Sequence, residues 1–423
     1  MLGVVLVAAG AAIFAIAFRS SLGAAYSALY GAGNVLEAIE RLPFWLRIAV
    51  PCAGGLASGL LSQRRSARGQ NVGNVMEAVA LGRVRLSMQA TAWRAAASWS
   101  AILTGMSIGR EGPLIEFGGS LGGSVGSALR LPLDRLRILV AAGTAAGFAA
   151  AYNTPFAAVL FVLETMVGIA ALDVLLPTMT AIVIATTLTR IVAGGGPIYG
   201  QRVFTLASPI ELLFYAALGS LSAIAAIGFK RALALAEELV QRYPVPYPWR
   251  SAFGGLIVGL IAVLVPQVVG NGYEALNLLL DQQLSLSLLV VLVLAKVVAT
   301  TSSVGSGVPG GVFTPTLLLG GAIGALWGHG LQAPGSWPVS GVGGYALVGM
   351  AAMVAATTHA PLTAAVMVFE LSGDYAIVLP LLLATAVATS LSRWLGSESV
   401  YVAELRRRGI AWELTLDGRR IAE

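Results

Sequence analysis

Two segments of this chain share the spacing Gly-x-x-x-Pro-x-x-x-x-Gly-Gly, at Gly109–Gly119 and again at Gly311–Gly321. A second matched block follows each copy, Gly143–Glu164 and Gly349–Glu370. These align without a gap at Gly143/Gly349, Pro155/Pro361, Val162/Val368 and Glu164/Glu370. Alanine identities come easily in a chain of this composition, but glycine, proline and glutamate at fixed offsets do not. The chain therefore reads as one ancestral unit used twice, which restricts it to architectures with internal symmetry. The first copy has Glu111 where the second has Phe313.

Both copies lie between strongly apolar stretches. Of 423 residues, 57% are hydrophobic and 11% charged, with mean hydropathy +0.83, which excludes a soluble protein and implies a polytopic membrane one. Apolar runs are legible at 2–18, 47–62, 138–163, 174–196, 211–227, 253–269, 285–300, 314–333, 343–371 and 376–397. Many fall short of the roughly 20 residues of a simple span, and others are interrupted by Gly or Pro. Broken spans occur where backbone at membrane depth lines a cavity. Continuous apolar runs without ten-residue alternation exclude a transmembrane β-barrel, so the expected fold class is all-α, with many short, tilted or broken helices. The first run lacks a preceding basic region and reads as a retained helix, not a signal peptide.

One cysteine, Cys52, and two histidines, His329 and His359, offer no disulfide and no convincing metal site. No metal or cofactor is expected. The net charge of +6 rests mainly on arginines in short polar segments, Arg406–Arg408 among them. By the positive-inside rule several of these, with the C-terminus, face the cytoplasm, and nucleic acid is not an expected partner. The repeat suggests two membrane halves, 1–200 and 201–402, with a short cytoplasmic tail at 403–423. Such repeats commonly have inverted topology, and inversion is expected here.

Ser107–Pro113 sets the pair Arg110 and Glu111 in an apolar context, where ionisable groups face a partner or an aqueous path. Gly109 and Gly112 permit close backbone approach, and Pro113 suits the first turn of a helix. Helix N-termini bind anions through unpaired N–H groups and the positive dipole end. Glu111 at such an end would mimic a bound anion, and its protonation would vacate the site. Gly305–Pro315 holds four glycines and two prolines in eleven residues and cannot be one continuous helix. It can present the N–H groups of Gly311, Val312 and Phe313 to an anion without a fixed positive charge, which would hinder release. Ser306 lacks a nucleophile elbow and a suitable base, and no enzyme activity is expected.

These segments, GREGP followed by GGSLG, then AAGTAAGFAAAYNTPFAAVLFVLE, GSGVPGGVFTP and APLTAAVMVFELSGDY, closely resemble the CLC chloride channels and proton-coupled chloride transporters, in their prokaryotic form. The resemblance runs from about residue 47 to Tyr401. It implies a homodimer in the inner cell membrane, each subunit with its own path for chloride or similar small anions. Glu111 matches the gating glutamate that competes with the anion and takes up a proton. Gly311, Val312 and Phe313 match the segment that binds the central anion, with Arg110 and Gly112 in the same constellation. Tyr401 matches the tyrosine whose hydroxyl reaches that anion. The block ending at Glu164 matches the helix lining the intracellular proton route. The family's nucleotide-binding module after the last helix is not expected.

Two departures bear on function. The family's first anion motif carries serine where this chain has Gln70, followed by Asn71; an asparagine there is similar to the fluoride-selective branch. Thr165 stands where exchangers often carry an internal proton-transfer glutamate, with Glu164 one residue away as a substitute. Proton antiport of chloride is the expected activity. An uncoupled anion channel and a fluoride exporter are the alternatives within the family, and a cation-coupled carrier is the alternative outside it. Glu116 and Glu77 are expected at water-exposed helix ends, and His359 as a cap at a helix start.

Overall fold

The computed structural model describes residues 1–63, 72–82, 86–167, 172–200, 204, 206–243, 245–332, 339–407, 409, 412–415 and 418–421. In the first half lie α1 (Leu2–Tyr30), α2 (Val35–Arg41), α3 (Phe44–Ser62), α4 (Val72–Leu81), α5 (Met88–Leu103), α6 (Glu111–Ala128), α7 (Leu133–Tyr152), α8 (Pro155–Val162) and α9 (Leu172–Ala193). In the second lie α10 (Glu211–Arg242), α11 (Tyr247–Leu264), α12 (Tyr273–Leu280), α13 (Leu286–Gly305), α14 (Phe313–Gln332), α15 (Val342–Thr358), α16 (Pro361–Ser372), α17 (Val378–Trp394) and α18 (Val400–Arg407). A π-helical turn, Leu163–Val167, extends α8. The tail departs from an all-α reading: β1 (Trp412–Thr415) and β2 (Gly418–Ile421) pair as an antiparallel hairpin. α18 also runs across the boundary expected at 402.

The helices sort by their surroundings. Among the described residues, six stretches are long and apolar enough to cross a bilayer, and they include α1, α3, α9, α10, α11 and α13. Their large apolar side chains, such as Leu176, Val183, Leu213, Phe253, Leu260 and Leu294, point outward, as lipid requires. α15 is apolar around its whole circumference and every residue of it is buried, as such a helix must be. Its hydroxyls turn back on their own helix, Thr357 to the Met353 carbonyl at 2.8 Å and Thr358 to that of Val354 at 2.8 Å.

Packing in one half recurs in the other. α6 packs on α7 as α14 does on α15, α1 on α9 as α10 does on α17, and α3 on α5 as α11 does on α13. The halves meet where α3 crosses α11, backbone against backbone. A Cβ on Gly55 would run into the Ser251 carbonyl, and one on Gly255 into the equivalent Pro51 carbonyl. Without a hydrophobic drive between helices in lipid, such small-residue contacts carry the association. The equivalence of the contacts is that of a repeat used twice.

Apolar runs that look continuous in the sequence are broken at matched points. Asn153 (φ 55°) ends α7 and His359 (φ 58°) ends α15, both left-handed, and a proline two residues later starts the next helix. His359 is thus a C-terminal cap, not the cap at a helix start that its neighbour Pro361 suggests. Its ring Nε2 lies 3.3 Å from Ser392 Oγ. A left-handed non-glycine residue costs about 1–2 kcal/mol, here offset by fixing the abrupt turn into α8 or α16.

Candidate functional site

The two Gly-x-x-x-Pro segments meet at one point. Gly109 donates to the Gly311 carbonyl at 2.7 Å and Gly311 donates back to that of Gly109 at 3.0 Å, an antiparallel bridge between equivalent residues. Such an exchange has a two-fold axis at its centre, so the N-termini of α6 and α14 converge there. A Cβ on Gly109 or on Gly311 would fall on the carboxyl group of Glu111. Glycine at both positions leaves the space in which that carboxylate sits.

Glu111 is 2% exposed. Its Oε1 accepts from the backbone N–H of Phe313 at 2.9 Å and, more weakly, from that of Thr314 at 3.4 Å. Its Oε2 accepts from Thr314 Oγ1 at 3.0 Å. The Tyr152 hydroxyl lies 2.8 Å from the same Thr314 oxygen. With Thr314 donating to the carboxylate, Tyr152 donates to Thr314. The carboxylate therefore occupies the N-terminus of α14, whose free N–H groups and dipole favour an anion. The carboxylate expected at the N-terminus of its own helix is bound instead at that of the facing one.

A cavity of about 290 Å³ opens beside it, lined by Glu111, Gly112, Gly311, Val312, Phe313 and Tyr401. Six of the residues expected at the site are thus brought together. The Gly311 N–H, expected to face an anion, is instead taken up by Gly109. The lining also contains charges absent from the expected set: Arg94, Glu116, Glu237, Glu404 and Arg407. Glu116 is buried, not water-exposed, because Arg94 grips both its oxygens, at 3.0 and 3.3 Å. Arg407 pairs with Glu237. Glu77 lies half-buried in α4.

The other expected residues lie elsewhere. Arg110 does not line this cavity. Its guanidinium carbon sits 6.0 Å from the centre of the Tyr273 ring, and its buried Nε has no hydrogen-bond partner. Thr165 is buried in the π turn, its hydroxyl donating to the Phe161 carbonyl at 2.5 Å. Glu164 accepts from the N–H groups of Leu362 (3.0 Å) and Thr363 (2.7 Å) and from Thr363 Oγ1 (2.6 Å), at the N-terminus of α16. Its counterpart Glu370 accepts from Phe156 (3.0 Å) and Ala157 (2.9 Å) at the N-terminus of α8. Neither lines the cavity. Gln70 and Asn71 lie outside the described residues.

Thr314, Tyr152, Arg94 and Glu404 were not legible as site residues. Hydroxyls in apolar helices are common, and the Arg94–Glu116 pair joins two helices through residues unremarkable in isolation. The pattern of the voltage gated chloride channel family matches residues 54–393. A putative chloride channel protein ClcB-like of Ralstonia nicotianae is 38% identical over 416 residues, 95% of each chain. The voltage-gated ClC-type chloride channel ClcB of Salmonella typhimurium is 34% identical over 87% of this chain and 89% of its own. Among solved structures, a slow cyanobacterial Cl−/H+ antiporter superposes with TM-score 0.86 at 24% identity, covering 96% of this chain and 97% of its own. A CLC-type fluoride/proton antiporter gives 0.74 at 22%, covering 95% of each.

Proposed function

The chain belongs to the voltage-gated chloride channel family, and on that premise we propose that it exchanges chloride or a similar small anion for protons across the inner cell membrane, gated by Glu111. The single observation that carries this reading is the Glu111 carboxylate bound at the N-terminus of α14 beside the cavity. While charged, it holds the donors an anion needs. Hydrogen bonds to a charged acceptor are roughly twice as strong as neutral ones, so protonation weakens the hold and frees Phe313 and Thr314 for the anion. Uncharged backbone donors then let the ion leave. Val312, Phe313, Gly112 and Tyr401 form the anion station in this reading, with Arg110 acting from outside the cavity; Gln70 and Asn71 belong to the proposed anion set by their match to the family motif alone.

The proposed units are two halves, 1–200 and 201–402, followed by the tail at 403–423, and the working particle is a homodimer with one path per subunit. Exposed apolar residues beside the Glu164 and Glu370 contacts, Phe156 and Leu362, suit burial against a second copy. Reconstitution into vesicles tests the function: an outward chloride gradient should drive protons inward, and Glu111→Ala should abolish that movement while anion flux continues. A Glu111→Ala variant with both fluxes unchanged would defeat the gating role. Fluoride and chloride fluxes through the same vesicles address the fluoride reading, which Asn71 favours; substantial chloride flux opposes it.

A further inference from the structure

We propose that Lys230 is a positioning residue of the anion station: from α10 it fixes the start of α18, and with it the place of Tyr401 on the cavity wall. The assignment rests on the reading above in which Tyr401 belongs to that station. Lys230 Nζ donates to the Ala356 carbonyl at 2.9 Å, to Ser392 Oγ at 3.3 Å and to the Glu398 carbonyl at 2.7 Å. Three acceptors match the three donors of an ammonium group. They come from the last turn of α15, from α17 and from the link into α18. Ser392 in turn donates to the Ala356 carbonyl at 3.1 Å, so the three points close on one another. All three acceptors are neutral, and a cation suits the carbonyl end of α15.

α18 needs such an anchor because it borders two cavities. The Glu111 cavity lies against Val400, Tyr401 and Arg407. A second cavity, about 260 Å³, lies against Val400, Ala403 and Arg407 and also reaches Lys230 and Leu233 of α10. Packing holds a side chain only where other atoms meet it, so tethers fix what the cavities leave loose. Lys230, Leu233 and Glu237 share one face of α10, and two of them hold opposite ends of α18. Lys230 takes the Glu398 carbonyl, and Glu237 pairs with Arg407. Tyr401 lies three residues from the first tether and six from the second, in the first turn of the helix. There Ser399 Oγ accepts from the Val402 N–H at 3.1 Å, and the Tyr401 ring meets Phe161 edge-on with its centre 6.1 Å away. Without the Lys230 bonds the link is free to shift, and the Tyr401 hydroxyl shifts with it.

The test is the chloride Kd of the purified protein in detergent, measured by titration calorimetry on the monodisperse fraction so that unfolded protein drops out. Tyr401→Phe removes a hydroxyl donor to a charged ion and should weaken chloride binding about tenfold. Lys230→Met should weaken it about as much, and the double variant no more than either alone, since both act through one hydroxyl. Lys230→Met at the wild-type Kd, with Tyr401→Phe weakened, overturns the assignment and leaves the anion station standing. Losses that multiply in the double variant show Lys230 acting through its charge and not through Tyr401, and they overturn it as well. Tyr401→Phe at the wild-type Kd overturns the reading of the station and this assignment with it. Should Lys230→Met not fold, Lys230→Gln, a shorter polar side chain, takes its place under the same criteria.

Discussion

Glu111 and Glu164 make similar bonds in two places, and of the two only Glu111 lines the cavity beside the Gly109–Gly311 bridge. Each carboxylate accepts from two successive backbone N–H groups and a threonine hydroxyl at the start of a helix in the other half, α14 for Glu111 and α16 for Glu164. Hydrogen bonds to a charged group are worth about 1.5–3 kcal/mol each, so both ends are strongly held. The difference lies in what answers them. Glu164 is matched by Glu370 reaching back to α8, and the reciprocal pair clamps the halves together. Glu111 has Phe313 at the equivalent position, packed edge-on against Phe148, and faces open space on the other side. Carboxylate chemistry alone does not make a gate. In the proposed function, the cavity on its open side is what lets an anion replace the Glu111 carboxylate.

The comparison breaks most sharply at Gly311. Gly311→Ala puts a methyl group where the Glu111 carboxyl sits, overpacking of the kind that costs about 1–3 kcal/mol, and vesicle anion flux should fall at least about tenfold. At the clamp the prediction reverses. Glu164→Ala leaves the Leu362 and Thr363 donors unpaired and should lower stability by about 1–3 kcal/mol in a detergent unfolding series, with anion flux per folded protein unchanged. Combined with Glu370→Ala, the losses should be non-additive if the two contacts act as one clamp.

How much of this was legible follows from where the signals lie. The repeat was readable because Gly, Pro and Glu recur at fixed offsets, and Glu111 stood out as an acid in apolar surroundings. The clamp was not, since Glu164 and Glu370 find partners about two hundred residues away, a proximity that only the packing of the two halves creates. Asn153 and His359 sit before similar Thr-Pro and Ala-Pro pairs, yet local sequence does not distinguish a cap that ends one helix from a cap that starts the next. Arg94 and Glu116 read as ordinary charges until α5 and α6 are packed together.

Smaller effects sharpen the gate side. Thr314→Val removes one donor to Glu111, a loss of about 1.5 kcal/mol. A loosened carboxylate yields the site more readily, so anion flux at neutral pH should rise about tenfold. Tyr152→Phe removes only the donor behind Thr314 and should move flux in the same direction by less, about twofold. Both are read as initial efflux rates from the same vesicle preparation.

The central claim is that similar donor sets serve as gate and clamp according to whether the carboxylate lines the cavity at the Gly109–Gly311 bridge. Chloride-driven proton movement measured side by side in Glu111→Gln and Glu164→Gln tests it most directly. The account predicts proton movement lost in Glu111→Gln with chloride efflux retained, and both preserved in folded Glu164→Gln. Proton movement that survives in Glu111→Gln and disappears in Glu164→Gln would contradict it.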